Sequence, residues 1–133
     1  MNARMAPAVS PDTEFFWNGV REHRLLVQQC DDCGARRHPP RPMCPQCRSL
    51  AWSTVELAPH GAVYSFVMPK HPPIGFGDDH IVALVELEGG VRLVADLTGI
   101  APEAVTIGMA VDVTFEHYDG DVVLPRFRPA AAP

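Results

Sequence analysis

The chain has 133 residues, of which 47% are apolar and 20% are charged. This length and composition are typical of one globular domain, or of one domain with a small metal-binding module. The longest aliphatic run, Ile81 to Val85, is far shorter than the ~20 residues that span a bilayer. The first eleven residues contain no apolar core of signal-peptide length. We therefore expect a cytoplasmic protein that does not enter a membrane.

The net charge of −5 is unevenly distributed along the chain. Residues 20–48 carry six arginines and three acidic residues, a net charge of +3, whereas residues 49–133 carry a net charge of −7. Anionic ligands are attracted to the basic part of a protein surface. An anion-binding surface is therefore expected on or beside residues 20–48, and not on the C-terminal part.

The first predicted element is an aromatic helix. Residues 1–11 are rich in alanine and proline, and we predict that they are disordered or form a linker. Asp12 or Thr13 can cap a helix that continues to Arg24. The apolar residues of this segment lie roughly on one side: Phe15, Phe16, Val20 and Leu25. Such a face is expected to pack within the chain or onto a partner.

Four cysteines, the only ones in the sequence, form a C-x2-C-x10-C-x2-C pattern at Cys30, Cys33, Cys44 and Cys47. Two thiolates separated by two residues bind one metal ion from a tight knuckle, and two knuckles complete a tetrahedron. We expect a structural zinc ion, because four thiolates leave no position for a catalytic water. Iron is the alternative, since it also accepts four thiolates. Two disulfides would require an oxidising compartment, of which the sequence gives no other sign.

The residues around the cysteines predict the form of the two knuckles. Residues 25–30 are expected to form a strand that leads into the first knuckle. Gly34 then has the freedom to turn its backbone amide towards sulfur, whereas Arg48 stands at the equivalent place in the second knuckle and leaves its geometry open. His38 lies between the knuckles in a proline-rich stretch. With four cysteines present, we do not assign it as a ligand.

From Trp52 onward, apolar and polar residues alternate with a period of two, which predicts strands with one buried face. The predicted strands are one long bent strand over 52–57 and 61–68, followed by 81–88, 91–97, 111–116 and 122–127. Gly89 and Gly90 predict a hairpin turn, and residues 101–105 predict a single helical turn. Five strands with a helical insertion after the third are typical of an OB-fold barrel.

The predicted fold class is mainly β, with an N-terminal helix, a rubredoxin-like four-cysteine zinc ribbon and a five-stranded OB-fold barrel. We expect a disordered segment or linker over residues 1–11, the helix and ribbon over 12–51, the barrel over 52–129 and a tail over 130–133. The longest irregular stretch, residues 69–80, joins the first two barrel strands and contains the only lysine.

Several stretches together resemble a known family. They are FFWNGVREHRLLVQQCDDCG, HPPRPMCPQC, GAVYSF, the V-x-V-x-F-E pattern at 111–116 and LPRFRP. The sequence is similar, over residues 14–129, to the acyl-CoA-associated zinc-ribbon/OB-fold family called domain of unknown function 35. The resemblance implies a non-catalytic accessory subunit that supports a thiolase-like enzyme acting on acyl-CoA. The implied enzyme is a retro-aldolase of steroid or lipid side-chain degradation. A MaoC-like hydratase domain fused upstream is a further implied partner.

The same resemblance implies that a CoA thioester is shared with the partner. Arg36, Arg37 and Arg41 are candidates for binding the phosphates of CoA, because a guanidinium group matches phosphate geometry. Lys70 and His71 of the long irregular stretch are further candidates. A solvated basic patch is the alternative for the arginines. No catalytic residue is predicted in this chain.

Two other functions are compatible with parts of the sequence. Single-stranded nucleic-acid binding requires a basic groove with stacking aromatic residues, whereas the predicted barrel is acidic and offers few aromatics beyond Phe76 and Tyr118. We therefore expect no nucleic-acid partner. A stand-alone acyl-CoA hydrolase or lyase would use His71, Asp78 or His80. However, the sequence has no phosphate-binding loop, nucleophile elbow or metalloprotease helix.

Overall fold

The computed structural model describes residues 4–69 and 80–130. Within these ranges the chain forms one α-helix, α1 (Glu14–Arg21), and eight strands. The strands are β1 (Leu25–Cys30), β2 (Arg36–Arg37), β3 (Trp52–Leu57), β4 (His60–Val67), β5 (Val82–Leu87), β6 (Arg92–Leu97), β7 (Ala110–Tyr118) and β8 (Val122–Pro129). Short 3-10 turns occupy Glu88–Gly90 and Pro102–Ala104.

The first three strands form a small antiparallel sheet in the order β2-β1-β3. Strands β1 and β3 pair along their whole length, from Leu25 opposite Leu57 to Cys30 opposite Trp52. The prediction that residues 52–57 and 61–68 form one bent strand is therefore wrong. Strand β3 ends before Ala58 and Pro59, and a proline has no N–H with which to continue a ladder. The segment 52–57 completes the ribbon sheet and does not enter the barrel.

The remaining strands close into a barrel in the order β4-β5-β6-β8-β7. Four of its five strand pairs are antiparallel, and the fifth is the parallel pair β6–β8. A barrel of five strands with a helical insertion after the third confirms the predicted OB-fold. The parallel pairing covers only Asp96 opposite Arg126 and Leu97 opposite Phe127. Beyond these two residue pairs, no further pairing joins β6 to β8.

The turns of the barrel follow the sequence pattern. Gly89 and Gly90 have φ of 79° and 78°, a left-handed conformation that glycine adopts without steric cost. The backbone N–H of Leu87 donates to the carbonyl of Val91 at 2.7 Å and closes the hairpin. The predicted helical turn between the third and fourth barrel strands is the 3-10 turn Pro102–Ala104.

The helix is present but shorter than predicted. It ends at Arg21 and not at Arg24, because His23 has φ of 60°, a left-handed conformation that commonly ends helices. Thr13 stands at the N-cap position, but its side chain makes no capping hydrogen bond. Its Oγ1 instead accepts a hydrogen bond from the backbone N–H of Ser10 at 3.0 Å.

One hydrophobic core connects the helix, the ribbon sheet and the barrel. Phe16 and Val20 of α1 are buried in the same cluster as Leu25 of β1 and Phe127 of β8. Residues 4–11 contain no helix or strand, but Arg4 forms an ion pair with Asp96 of β6 at 3.0 Å. The side chain of Arg4 therefore lies against β6 of the barrel.

A membrane-spanning helix is not found in the described ranges, because α1 is far too short to cross a bilayer.

Candidate functional site

The four cysteine sulfurs converge at the end of the ribbon sheet. Their Sγ atoms all lie within 4.8 Å of one another. The Sγ atoms of Cys30 and Cys47 are 3.5 Å apart, and those of Cys33 and Cys44 are 3.6 Å apart. A tetrahedral zinc ion with Zn–S bonds of about 2.3 Å separates its sulfurs by ~3.8 Å. The donor set therefore fits a tetrahedral metal ion.

The two knuckles have the same backbone hydrogen bonds. In the first, the N–H of Gly34 donates to the carbonyl of Cys30 at 3.0 Å. In the second, the N–H of Arg48 donates to the carbonyl of Cys44 at 2.9 Å. Gly34 and Arg48 have φ of 77° and 67°. The second knuckle thus adopts the geometry of the first, although an arginine occupies the left-handed position.

The electrostatics of the cluster favour a bound cation. The backbone N–H groups of Cys47 and Gln46 face the sulfur of Cys44 and lower the pKa of its thiol to about 6. The backbone N–H of Ser49 likewise lowers the pKa of the Cys47 thiol. Contact with the Cys30 sulfur and burial outweigh this effect, and they raise the pKa of Cys47 to about 12. Four sulfurs this close cannot all ionise unless a cation compensates their charge.

Two of the three arginines that the sequence assigns to an anion site are engaged within the protein. The Nε–H of Arg36 donates to Gln29 at 3.0 Å, and its guanidinium lies 3.9 Å from the carboxylate of Glu88. Arg37 is buried, and its Nε and Nη2 donate to the backbone carbonyl of Arg41 at 3.1 and 2.9 Å. Arg41 is exposed.

The residues predicted in the long irregular stretch are mostly outside the described ranges. This applies to Lys70 and His71, the predicted CoA contacts, and to Asp78, the catalytic candidate of the stand-alone enzyme alternative. His80 is described, and its Nε2 lies 3.5 Å from Oδ1 of Asp96.

The sequence did not predict a groove that opens between β6 and β8. It has a volume of about 520 Å³ and mostly apolar walls. Helix α1 contributes Phe16 and Trp17, and the stretch between the knuckles contributes residues 38–40. The groove requires contacts among segments that are far apart in the sequence, which no local pattern reports.

His38 forms part of the wall of this groove. Its ring lies 4.8 Å from the ring of Phe16, measured between centroids. Burial lowers the pKa of His38 to about 4, because the charged imidazolium is poorly solvated there. His38 is therefore neutral at pH 7. The group of described side chains that could hold a metal ion consists of the four cysteines.

The ribbon and the barrel each match a known family description. The description "ChsH2, rubredoxin-like zinc ribbon domain" matches residues 17–53. The description "ChsH2, C-terminal OB-fold domain" matches residues 54–116. Together they cover most of the chain.

Similar proteins come from bacteria and archaea. A "Probable enoyl-CoA hydratase alpha subunit" of Thermomonospora curvata is 45% identical over 128 residues, which cover 96% of this chain and 40% of that protein. A "DUF35 domain-containing scaffold protein" of Methanocaldococcus jannaschii is 32% identical over 111 residues, 79% of each chain. The chain thus spans about two-fifths of the length of the Thermomonospora relative.

A solved structure has the same fold. A chain of the "Ltp2-ChsH2(DUF35) aldolase" superimposes with a TM-score of 0.86 and 44% identity, over 94% of this chain and 99% of that chain. The four-sulfur ribbon and the closed barrel define a zinc-ribbon/OB-fold protein with a structural metal centre. The chain belongs to the DUF35 family, and its two modules are those of ChsH2. The family resemblance of the sequence is confirmed.

Replacing Arg48 by glycine is expected to raise the free energy of unfolding of the metal-loaded protein by about 0.5–1 kcal/mol. A left-handed backbone costs a non-glycine residue roughly 1–2 kcal/mol, and the freedom of glycine in the unfolded chain offsets part of this gain. Urea unfolding at saturating zinc measures the difference.

Gly34→Ala is the matched control in the first knuckle. Its added Cβ would meet no heavy atom within 4 Å, so a loss of about 1 kcal/mol would come from the backbone alone. A lower stability of Arg48→Gly would contradict the strain assigned to Arg48.

His38→Phe is expected to remove part of the acid sensitivity of folding. Between pH 6.5 and about 4, the unfolded chain binds a proton at His38 that the folded protein does not. Stability is therefore lost as the pH falls through this window, by about 3 kcal/mol in total. Urea unfolding of both proteins from pH 7.5 to 4 gives the comparison.

Acid release of the metal affects wild type and His38→Phe alike, so the difference between the two proteins isolates the imidazole. As the pH falls from 6.5 to about 4, the free energy of unfolding of His38→Phe is expected to rise relative to that of wild type. A constant difference between them would show that His38 is not a neutral buried group.

Proposed function

We propose that the chain is a non-catalytic accessory subunit that binds and supports a thiolase-like enzyme acting on acyl-CoA. The proposed enzyme is a retro-aldolase of steroid or lipid side-chain degradation. The observation that carries the proposal is the likeness, over nearly the whole chain, to a chain of the Ltp2-ChsH2(DUF35) aldolase. The name "scaffold protein" of the archaeal relative is consistent with the same role.

The geometry of the metal centre supports a structural role. All four positions of a tetrahedral ion would be filled by sulfur, so no position is left for a substrate or a catalytic water. The cluster lies beside the exposed loops of the ribbon and outside the apolar groove. We propose zinc as the resident metal, which stabilises the fold of the ribbon.

We propose that the partner contacts the exposed ribbon surface beside the second knuckle. The aromatic side chains of α1 pack largely within the chain, since Phe16 is buried and the ring of Phe15 lies 5.1 Å from that of Trp52. Large exposed apolar side chains lie elsewhere, including Met43 and Leu50 on either side of the second knuckle, 48% and 66% exposed. Exposed apolar side chains of this size are typical of contact surfaces when they cluster.

Co-expression with a thiolase-like enzyme tests the proposed role. We expect the two proteins to elute together and the aldol cleavage of a 3-hydroxyacyl-CoA to be lost when this chain is omitted. Cys33→Ser is expected to weaken the assembly at least ~10-fold, because the ribbon depends on its metal. Ser65→Ala, an exposed change on β4, is the control with the metal centre intact.

Separate elution together with unchanged activity in the absence of this chain would contradict the accessory role. If the Cys33→Ser protein assembled with unchanged affinity, the accessory role would stand, and only its coupling to the metal would be wrong.

We propose that CoA, shared with the partner, is contacted through its phosphates at Arg41 and Arg36. Arg41 is exposed, and Arg36 keeps about a quarter of its side chain accessible. Arg37 acts differently in this proposal, because its two hydrogen bonds hold the backbone of Arg41. Lys70 and His71 remain candidates for further contacts.

Arg41→Gln is expected to raise the dissociation constant for CoA about 5–10-fold, because a charge-assisted hydrogen bond to phosphate is lost. Calorimetric titration of the assembled complex with CoA measures this constant. Arg21→Gln removes the same charge from the exposed end of α1 and is expected to change it less than ~2-fold. Equal effects of the two variants would indicate a solvated basic patch.

A further inference from the structure

The apolar groove owes its existence to the short parallel pairing of β6 and β8. The two strands are paired only at Asp96–Arg126 and Leu97–Phe127. From Arg92 to Ala95 on one side and at Leu124 and Pro125 on the other, both strands line the groove. The barrel is closed, but β6 and β8 are not paired with each other where these residues face the groove. Further lining comes from Arg4, α1, residues 38–40, Leu84 of β5 and Tyr118 of β7.

Most of the lining is suited to an apolar molecule. Phe16, Trp17, Leu93 and Leu124 contribute aromatic and aliphatic side chains. A concave volume of about 520 Å³ is within the range of small-molecule sites, ~300–1,000 Å³. Apolar clefts with a few polar groups at fixed positions are typical of ligand sites.

Three lining residues each carry a buried polar atom without a partner. Among the described residues, Nδ1 of His38, Oη of Tyr118 and Nε of Arg126 have no hydrogen-bond partner. Leaving a buried polar group unpaired costs ~1–3 kcal/mol. Three such groups in one cleft indicate an occupant with hydrogen-bond acceptors, since the hydroxyl and the guanidinium N–H are donors.

The charged residues around the groove determine which charge its occupant should carry. Among the described residues, Arg4, Arg92 and Arg126 line it, and Asp96 contributes the only carboxylate. Asp96 is paired with Arg4 at 3.0 Å, and the guanidinium of Arg92 lies 3.7 Å from the centre of the Tyr64 ring. The groove is therefore positively charged on a chain whose net charge is −5, and it favours an anion.

We infer that this groove binds an apolar molecule that ends in a carboxylate. Its hydrocarbon part lies against Phe16, Trp17 and Leu124, and its carboxylate accepts hydrogen bonds from Arg126 and Tyr118. This site differs from the metal cluster and from the CoA contacts proposed above. It does not depend on the thiolase-like partner, so it can be tested on the chain alone.

Decanoate is a suitable probe, because it combines a ten-carbon apolar chain with a carboxylate. Titration followed by methyl NMR is expected to give saturable shifts at Leu84, Leu93 and Leu124. For a ligand of this size we expect a dissociation constant of about 50 μM to 2 mM. Decylamine has the same chain with a positive charge and is expected to bind at least ~10-fold more weakly.

Two variants separate the polar contacts from the fold. Arg126→Gln is expected to weaken decanoate binding about 10-fold, because it removes a charge-assisted hydrogen bond. Arg128→Gln, on the same strand but exposed and outside the groove, is expected to change it less than ~2-fold. Tyr118→Phe is expected to weaken binding ~3–10-fold without lowering Tm, since its hydroxyl has no partner in the described chain.

Several results would overturn the inference. One is binding of decylamine as tight as that of decanoate, and another is an equal effect of Arg126→Gln and Arg128→Gln. Shifts of the exposed Ile107 methyl groups as large as those of the groove would indicate non-specific association. If Tyr118→Phe lowered Tm and left binding unchanged, its hydroxyl would have a structural role. If groove variants weakened only partner assembly, the groove would be a protein contact.

Discussion

The convergence of four sulfur atoms within 4.8 Å is the constraint on which the ribbon depends. Thiolates at that distance repel one another, whereas backbone N–H groups around Cys44 favour its ionised form. A single divalent cation offsets the repulsion. Once the knuckles are fixed, residues 38–40 are held between them, and β1 is placed against α1 and β3. The metal therefore supports surfaces well beyond its ligands.

Much of the fold could be predicted from the sequence, because its signals are local. The cysteine spacing indicated the metal cluster, the period-two alternation indicated the barrel strands, and Gly89–Gly90 indicated a hairpin. The error at residues 52–57 has a physical reason. Alternation shows that a strand has one buried face, but it does not identify the neighbour that completes its hydrogen bonds. Here the neighbour was β1 of the ribbon.

The candidate site could be predicted only in part. The metal ligands follow from residue type and spacing, whereas the role of an arginine depends on what surrounds it in space. From the sequence alone, Arg37 is a candidate anion ligand. In the structure it is buried, and its guanidinium donates two hydrogen bonds to the backbone carbonyl of Arg41. The positive groove, in contrast, is built from Arg4, Arg92 and Arg126, which are far apart in the sequence. Arg92 and Arg126 belong to residues 49–133, whose net charge is −7. The net charge of that segment therefore gave no indication of a positively charged groove.

The two knuckles have matching hydrogen bonds but unequal support. Cys30 is the last residue of β1, which pairs with β2 on one side and β3 on the other. Residues 44–49, in contrast, belong to no strand, and Arg48 among them has a left-handed backbone. Local opening starts where fewest interactions must break. Metal exchange is thus expected to begin with departure of Cys44 and Cys47, while Cys30 and Cys33 still hold the ion. Such an opening would not require the barrel to unfold.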